Sequence, residues 1–209
     1  MEREERVREV LKRLKKLYIP KTALNFSNPW ELLVATILSA QTTDERVNMV
    51  TKDLFKKYKS IKDYAEAPLE ELQEDIKSIN YYRTKAKNIK ACAEIILVKY
   101  GGKVPDKMDE LLKLPGVARK TANVVLTAGY GKNEGIIIDT HVHRLSHRLG
   151  LSNEKNREKL EFDLMKIVPR EEWGNFSFLL IDHGRAICKT KKPLCEECIL
   201  NDICPSAIK

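Results

Sequence analysis

The sequence predicts an all-α protein. Apolar residues recur at three-to-four spacing along almost the whole chain, as an amphipathic helix requires. Helix start and stop residues separate these stripes at short intervals. Only Gly135 to Ile138 reads as extended, which is too short to build a sheet. No repeat of solenoid period and no low-complexity tract interrupts the pattern.

The elements follow in order. Val7, Val10, Leu11, Leu14 and Leu17 form the stripe of a first helix. Asn28-Pro29-Trp30-Glu31 reads as an N-cap, a proline at the first helical position and an acid at the third, opening a helix to about Ala40. Asp44 is expected to cap a helix through about Tyr58, and Pro68 to begin one ending near Ile79. Thr84 to Tyr100 is a long helix stopped by Gly101-Gly102. Short helices are expected at about 108–113, 119–127, 140–149, 153–167 and 171–187. The linkers are brief, so two packed lobes are expected.

The 209 residues fit one large domain or two small ones, and 43% hydrophobic content is enough for a core. A net charge of +8 suits a polyanionic partner such as nucleic acid. A Lys- and Glu-rich solvated surface is the plainer reading. The opening MEREERVREV is charged, so no secretory signal is expected. Apolar runs fall short of the ~18 residues of a membrane span. An intracellular (cytoplasmic), membrane-free, monomeric protein is the expectation.

Four of the five cysteines crowd together as Cys188-x6-Cys195-x2-Cys198-x5-Cys204. Disulfides are rare in a reducing cytosol, so ligation leads. Four thiolates suit Zn²⁺ or a [4Fe–4S] cluster. Zinc ribbons usually pair two Cys-x2-Cys knuckles, and here there is one, which favours a compact loop around a cubane. Zinc and unligated thiols remain the alternatives. Lys189, Lys191 and Lys192 fall between the first two cysteines, as a phosphate contact or a solvated run. Cys92 sits in an apolar helical run and reads as packing.

Leu112 to Ala122 joins two short helices through a tight turn at Pro115-Gly116. The amides of Val117 to Lys120 then lie at a helix N-terminus, an anion site suited to a phosphate. Such a turn reads the backbone and not the bases.

Leu-Pro-Gly-Val-Ala-Arg-Lys-Thr-Ala-Asn-Val-Val (114–125), followed by Ile138-Asp139-Thr140-His141-Val142-His143-Arg144, resembles the endonuclease III family of helix-hairpin-helix DNA glycosylases. The cysteine spacing and Leu38-Ser39-Ala40-Gln41-Thr42-Thr43-Asp44 resemble the same family, and the likeness runs from about residue 2 to residue 205. It implies a two-lobed fold: a six-helix barrel lobe over 22–133, and a discontinuous lobe of 1–21 and 134–209 with a [4Fe–4S] cluster on the four cysteines. It implies Lys120 as nucleophile, Asp139 as catalytic aspartate and Gln41 as the residue that fills the gap left by an extruded nucleotide. Gly116, Ala118 and Lys191 become DNA contacts. The implied partner is double-stranded DNA carrying damaged pyrimidines or abasic sites.

The implied chemistry begins with base flipping, because a stacked base is out of reach. A neutral lysine amine attacks C1′, expels the base and forms a Schiff base, and β-elimination then releases the 3′ phosphate. Read locally, Lys120 is equally a phosphate contact and Asp139 an N-cap of the helix beginning at Thr140. His141, His143 and His147 do not share one helix face and read as packing or phosphate contacts. Arg83, Lys85, Lys87 and Lys90 are expected to form a DNA-facing patch.

Two positions depart from the family pattern. The second hairpin glycine is Ala118, tolerable where φ is negative. The family's Ile-Gly-x-Tyr turn is Ile79-Asn80-Tyr81-Tyr82, which places Tyr81 at the wedge position. A surface tyrosine is the alternative there. The rival functions are a glycosylase for mismatched thymine or uracil, and a non-catalytic DNA-binding protein with a structural or redox cluster.

Overall fold

A computed structural model describes residues 1–208. Among them the regular structure is helical. In chain order the elements are α1 (Arg3–Leu14), α2 (Pro29–Leu38), α3 (Asp44–Lys57), α4 (Ile61–Glu66), α5 (Leu69–Asp75), α6 (Tyr82–Tyr100), α7 (Met108–Leu111), α8 (Arg119–Val124), α9 (Thr140–Arg148), α10 (Arg157–Met165) and α11 (Trp173–Ala186). A π-helical turn, Val125–Gly129, continues α8, and single 3₁₀ turns fall at Arg170–Glu172, Cys195–Glu197 and Asn201–Ile203. No helix among the described residues is long and apolar enough to cross a membrane.

The chain divides into two compact units, one of Ala23–Lys132 and one of Met1–Thr22 with Asn133–Lys209. The first is built on α2 and α6. Helix α2 is buried from Leu32 through Leu38, so it is apolar on all sides. Asn28 Oδ1 accepts the Glu31 amide at 3.0 Å, and Glu31 Oε2 accepts the Ser27 amide at 2.6 Å, so this start is doubly capped. Helix α6 packs on α4, α5 and α2. It ends as its glycines dictate: Gly101 has φ +59°, and the Gly102 amide reaches back to the Ile96 carbonyl at 3.0 Å.

The second unit is a core of α1, α9, α10 and α11. Val7, Val10, Leu11 and Leu14 meet Val142, Leu145, Leu160, Leu164, Phe176 and Leu180, with Leu200 and Ile203 closing from the C-terminal segment. Each such side chain contributes about 1.5–3 kcal/mol on burial. Ser177 Oγ accepts the Ile137 amide at 2.9 Å, giving the extended 135–138 segment its partner without a sheet.

Four expectations are corrected. Leu17 lies beyond the end of α1 and is 53% exposed. Thr43, not Asp44, caps α3, because its hydroxyl accepts the Arg46 amide. Helix α10 starts four residues later than expected, where Asn156 accepts both the Glu158 and Lys159 amides. The unexpected α4 has a full capping box between Ser60 and Asp63.

Candidate active site and cysteine pocket

The hairpin lies in the 23–132 unit. Gly116 has φ +74°, a left-handed conformation that disfavours a side chain. The Cys92 thiol of α6 donates to the Pro115 carbonyl at 3.2 Å, which supports the turn from beneath. Ala118 caps α8 with φ −100° and ψ 171°, open to any L residue, so its methyl is accommodated. Lys120 is the second residue of α8 and is half-buried. Burial pushes the Cys92 thiol up to about 12, so it stays neutral and serves packing.

Two further turns in this unit carry non-glycine residues with positive φ: Gln41 at +56° and Tyr81 at +58°. Asn80 joins them, since its Nδ2 donates to the Gln41 carbonyl at 2.5 Å. Tyr81 is 65% exposed at the N-terminus of α6. Lys85 is buried, and its Nζ donates to the carbonyls of Leu38 and Ala40 at 2.8 and 2.6 Å. Burial pushes its amine down to about 8, so it remains protonated at neutral pH. The expected cationic patch is therefore corrected. Lys85 leaves it, and so does Lys90, whose Nζ is committed to the Ala65 and Ala67 carbonyls. Arg83 and Lys87 remain exposed.

Asp139 belongs to the other unit. It is the N-cap of α9, and its Oδ1 accepts the Val142 amide at 2.7 Å, leaving Oδ2 outside that bond. Burial pushes His141 below its ordinary value against the opposing charge of Asp139. His143 and His147 bond main-chain carbonyls, of Lys155 at 3.1 Å and of His143 at 2.6 Å, and act as packing.

Cys188, Cys195, Cys198 and Cys204 are free thiols that line one pocket, with Ile187, Pro193 and Leu194 as its apolar wall. Polar groups converge on the sulfurs. Arg148 Nη1 is 3.3 Å from Cys188 Sγ, His183 Nε2 is 3.3 Å from Cys198 Sγ, and the Leu200 amide is 3.4 Å from it. Burial and the neighbouring thiols push Cys198 and Cys204 up, so ionising these two calls for a cationic centre beside them. Among the described residues no three His, Cys, Asp or Glu side chains close on a single-ion site. Arg148 also donates to the Lys189 and Thr190 carbonyls at 2.7 and 3.0 Å, and Arg144 to the Cys188 carbonyl at 2.9 Å. These arginines fix the loop that carries the exposed Lys191.

Sequence reasoning did not find the supporting roles of Asn80, Lys85, Arg144 and Arg148. Their bonds reach main-chain atoms distant along the chain, and only Lys85, an ionic residue at an apolar helix position, gave a local signal.

Residues 34–170 match the HhH-GPD superfamily of base excision DNA repair proteins. Endonuclease III of Synechocystis is 50% identical over 206 residues, covering 98% of this chain and 94% of its own. The chain belongs to the endonuclease III family. A solved endonuclease III trapped as a covalent intermediate with DNA superposes with a TM-score of 0.93 at 44% identity, covering 99% of this chain and 98% of that one. A thermostable thymine-DNA glycosylase superposes at 0.86 with 27% identity, covering 98% and 96%. The endonuclease III likeness is thus the stronger in both sequence and shape.

Proposed function

We propose that this chain is a bifunctional base-excision enzyme that removes oxidised pyrimidines from duplex DNA and then cleaves the strand as an abasic-site lyase. The observation that carries the reading is Lys120 on the first turn of α8, directly after a hairpin whose Gly116 has φ +74°. That turn brings backbone amides and an amine to one short stretch of chain, as a phosphate clamp and a nucleophile require, although the Val117 amide, expected to be unpaired, is spent on the Leu114 carbonyl at 3.2 Å. The covalent endonuclease III–DNA intermediate among the similar structures supports a nucleophile on the protein.

In this reading the Lys120 amine attacks C1′ of the flipped nucleotide. The base leaves with the bonding pair and takes up a proton. The sugar ring opens to an imine, the 2′ proton is lost, and the C3′–O bond breaks to release the 3′ phosphate. Asp139 stabilises positive charge developing on the sugar, while its capped Oδ1 holds the carboxylate in place. Gln41 and Tyr81 occupy the gap and wedge the strand, and Lys191 meets phosphate.

The four cysteines would hold a [4Fe–4S] cluster. Sulfurs spread around one pocket, with N–H donors directed at them, fit a polynuclear centre better than one zinc ion. Such a group supplies Fe–S bonds that tie the C-terminal loop together, and the base chemistry does not pass through it.

Borohydride trapping on abasic duplex DNA tests the proposal. A covalent adduct that is lost in Lys120→Ala supports it, and an adduct at full yield in that variant overturns it. A panel of oxidised pyrimidines against G·T and G·U mismatches decides the substrate class.

A further inference from the structure

A buried ammonium is expensive. Removing it from water is unfavourable unless its hydrogen bonds are replaced, and an apolar side chain of similar volume fills the same space at no such penalty. Lys85 is 5% exposed, yet it keeps its charge among oxygens. Its Nζ meets Leu38 O at 2.8 Å, Ala40 O at 2.6 Å and Thr42 Oγ1 at 3.4 Å. The two carbonyls lie at the C-terminal end of α2, where helix groups lack partners and the dipole favours a cation. The three acceptors also flank Gln41 on both sides in sequence.

The same residue grips the second turn. The Lys85 amide donates to the Tyr81 carbonyl at 3.1 Å. Asn80, one residue before Tyr81, donates to the Gln41 carbonyl. Two non-glycine residues in left-handed conformation, Gln41 at φ +56° and Tyr81 at φ +58°, are thereby bound to one another and to one lysine. Strain of this kind persists only where the surroundings over-determine it.

We propose that Lys85 is a positioning residue that, with Asn80, locks the 39–42 and 79–82 turns into one rigid unit and presents Gln41 and Tyr81 to the duplex together. This rests on the reading of Gln41 as the residue that fills the gap in DNA. Lys85 itself touches no DNA. Lys85 acts through the backbone of Leu38 and Ala40.

The test compares borohydride trapping rates on abasic duplex and on the same abasic strand alone, where no opposite strand leaves a gap to fill. Lys85→Met should lower the duplex-to-single-strand ratio about tenfold, the loss of one or two charge-assisted hydrogen bonds. Asn80→Ala, at an exposed position, should lower it in the same direction. Both changes should lower the ratio by less in a Gln41→Ala background, where only Tyr81 is left to present. Equal losses on both substrates in Lys85→Met would mark a general structural role and overturn the proposal. So would an undiminished effect in the Gln41→Ala background. If Lys85→Met does not fold, the decision passes to Asn80→Ala, and an unaltered ratio there overturns the proposal. If Gln41→Ala alone leaves the ratio unaltered, the gap-filling reading fails and takes this inference with it. A lowered ratio in Gln41→Ala with none in Lys85→Met or Asn80→Ala overturns the positioning role alone.

Discussion

The carboxamide of Asn88 occupies the space that a side chain on Gly116 would need. A Cβ built on Gly116 would lie 2.4 Å from Asn88 Nδ2 and 3.2 Å from its Cβ, on a backbone with φ +74°. Gly116→Ala therefore meets two obstacles, a contact and a conformation. We expect it to reduce affinity for duplex DNA and to destabilise the fold by roughly 1–3 kcal/mol. Adding Asn88→Ala should recover only the part due to contact. Anisotropy titration and thermal melting of the single and double variants measure both parts.

Asp139→Asn separates cap from chemistry. Asparagine accepts the Val142 amide as well as aspartate does, so α9 keeps its N-cap. The negative charge is gone. Base release should fall by about 10²-fold, while the melting temperature changes little. A single-turnover excision assay beside a melting curve checks the pair.

Ala118→Gly should do little. With φ −100° the methyl already sits in an ordinary extended conformation, and glycine adds only unfolded-state freedom. Duplex affinity is expected to stay within about twofold, equivalent to under ~0.5 kcal/mol. A larger gain in affinity would mean that the methyl hinders the DNA backbone.

Acid stability should depend on Asp163. Burial alone would raise its pKa, but the Ser152 hydroxyl and the Arg3 guanidinium, at 2.6 and 2.8 Å, outweigh it and hold the group below its ordinary value. A depressed carboxylate contributes stability that is present above the unfolded pKa and lost as pH falls through the folded one. The wild-type advantage over Asp163→Asn should therefore be full near pH 6 and shrink below about pH 4. Urea midpoints across that range measure it.

Removing the proposed cluster should loosen residues 188–204 before it touches the residues proposed to react. Arg148 ties the loop at Lys189 and Thr190, while Cys195, Cys198 and Cys204 lie beyond those two bonds. Chelation is expected to raise amide hydrogen exchange across this segment and to weaken DNA binding. Lys120 adducts that do form should keep their chemistry. Exchange measured with and without iron, alongside trapping, tests the order of events.

The helices were legible where a local rule governed them. Asn28 and Glu31 announced α2, and Gly101 ended α6, because caps use groups only a few residues apart. The start of α10 was misplaced because the 153–156 stretch is polar and equally suited to loop or helix. In the candidate site, the hairpin and the cysteines were readable from spacing. Lys85 sits in the apolar stripe of α6, but its charge read as surface because the oxygens that hold it are not local. Its acceptors, Leu38 and Ala40, lie more than forty residues away in sequence. The bonds of Arg148 to the cysteine loop were hidden for the same reason.

The packing of α1 has a consequence for how the protein is made. Val7, Val10, Leu11 and Leu14 find their partners from Ile136 onward, as far as Ile203. On the ribosome this helix emerges before the residues it packs on, and its stripe is covered only after they are made. The 23–132 unit has all its own sequence in hand before those partners are synthesised. At roughly 5–20 residues per second, α1 waits several seconds with its apolar stripe uncovered. Its charged ends, Glu4 and Glu5 at one and Lys12 and Arg13 at the other, complement the helix dipole and flank that stripe with charge. Substitutions that widen the stripe would thus be felt in the nascent chain, as lower yield, before they altered the finished fold.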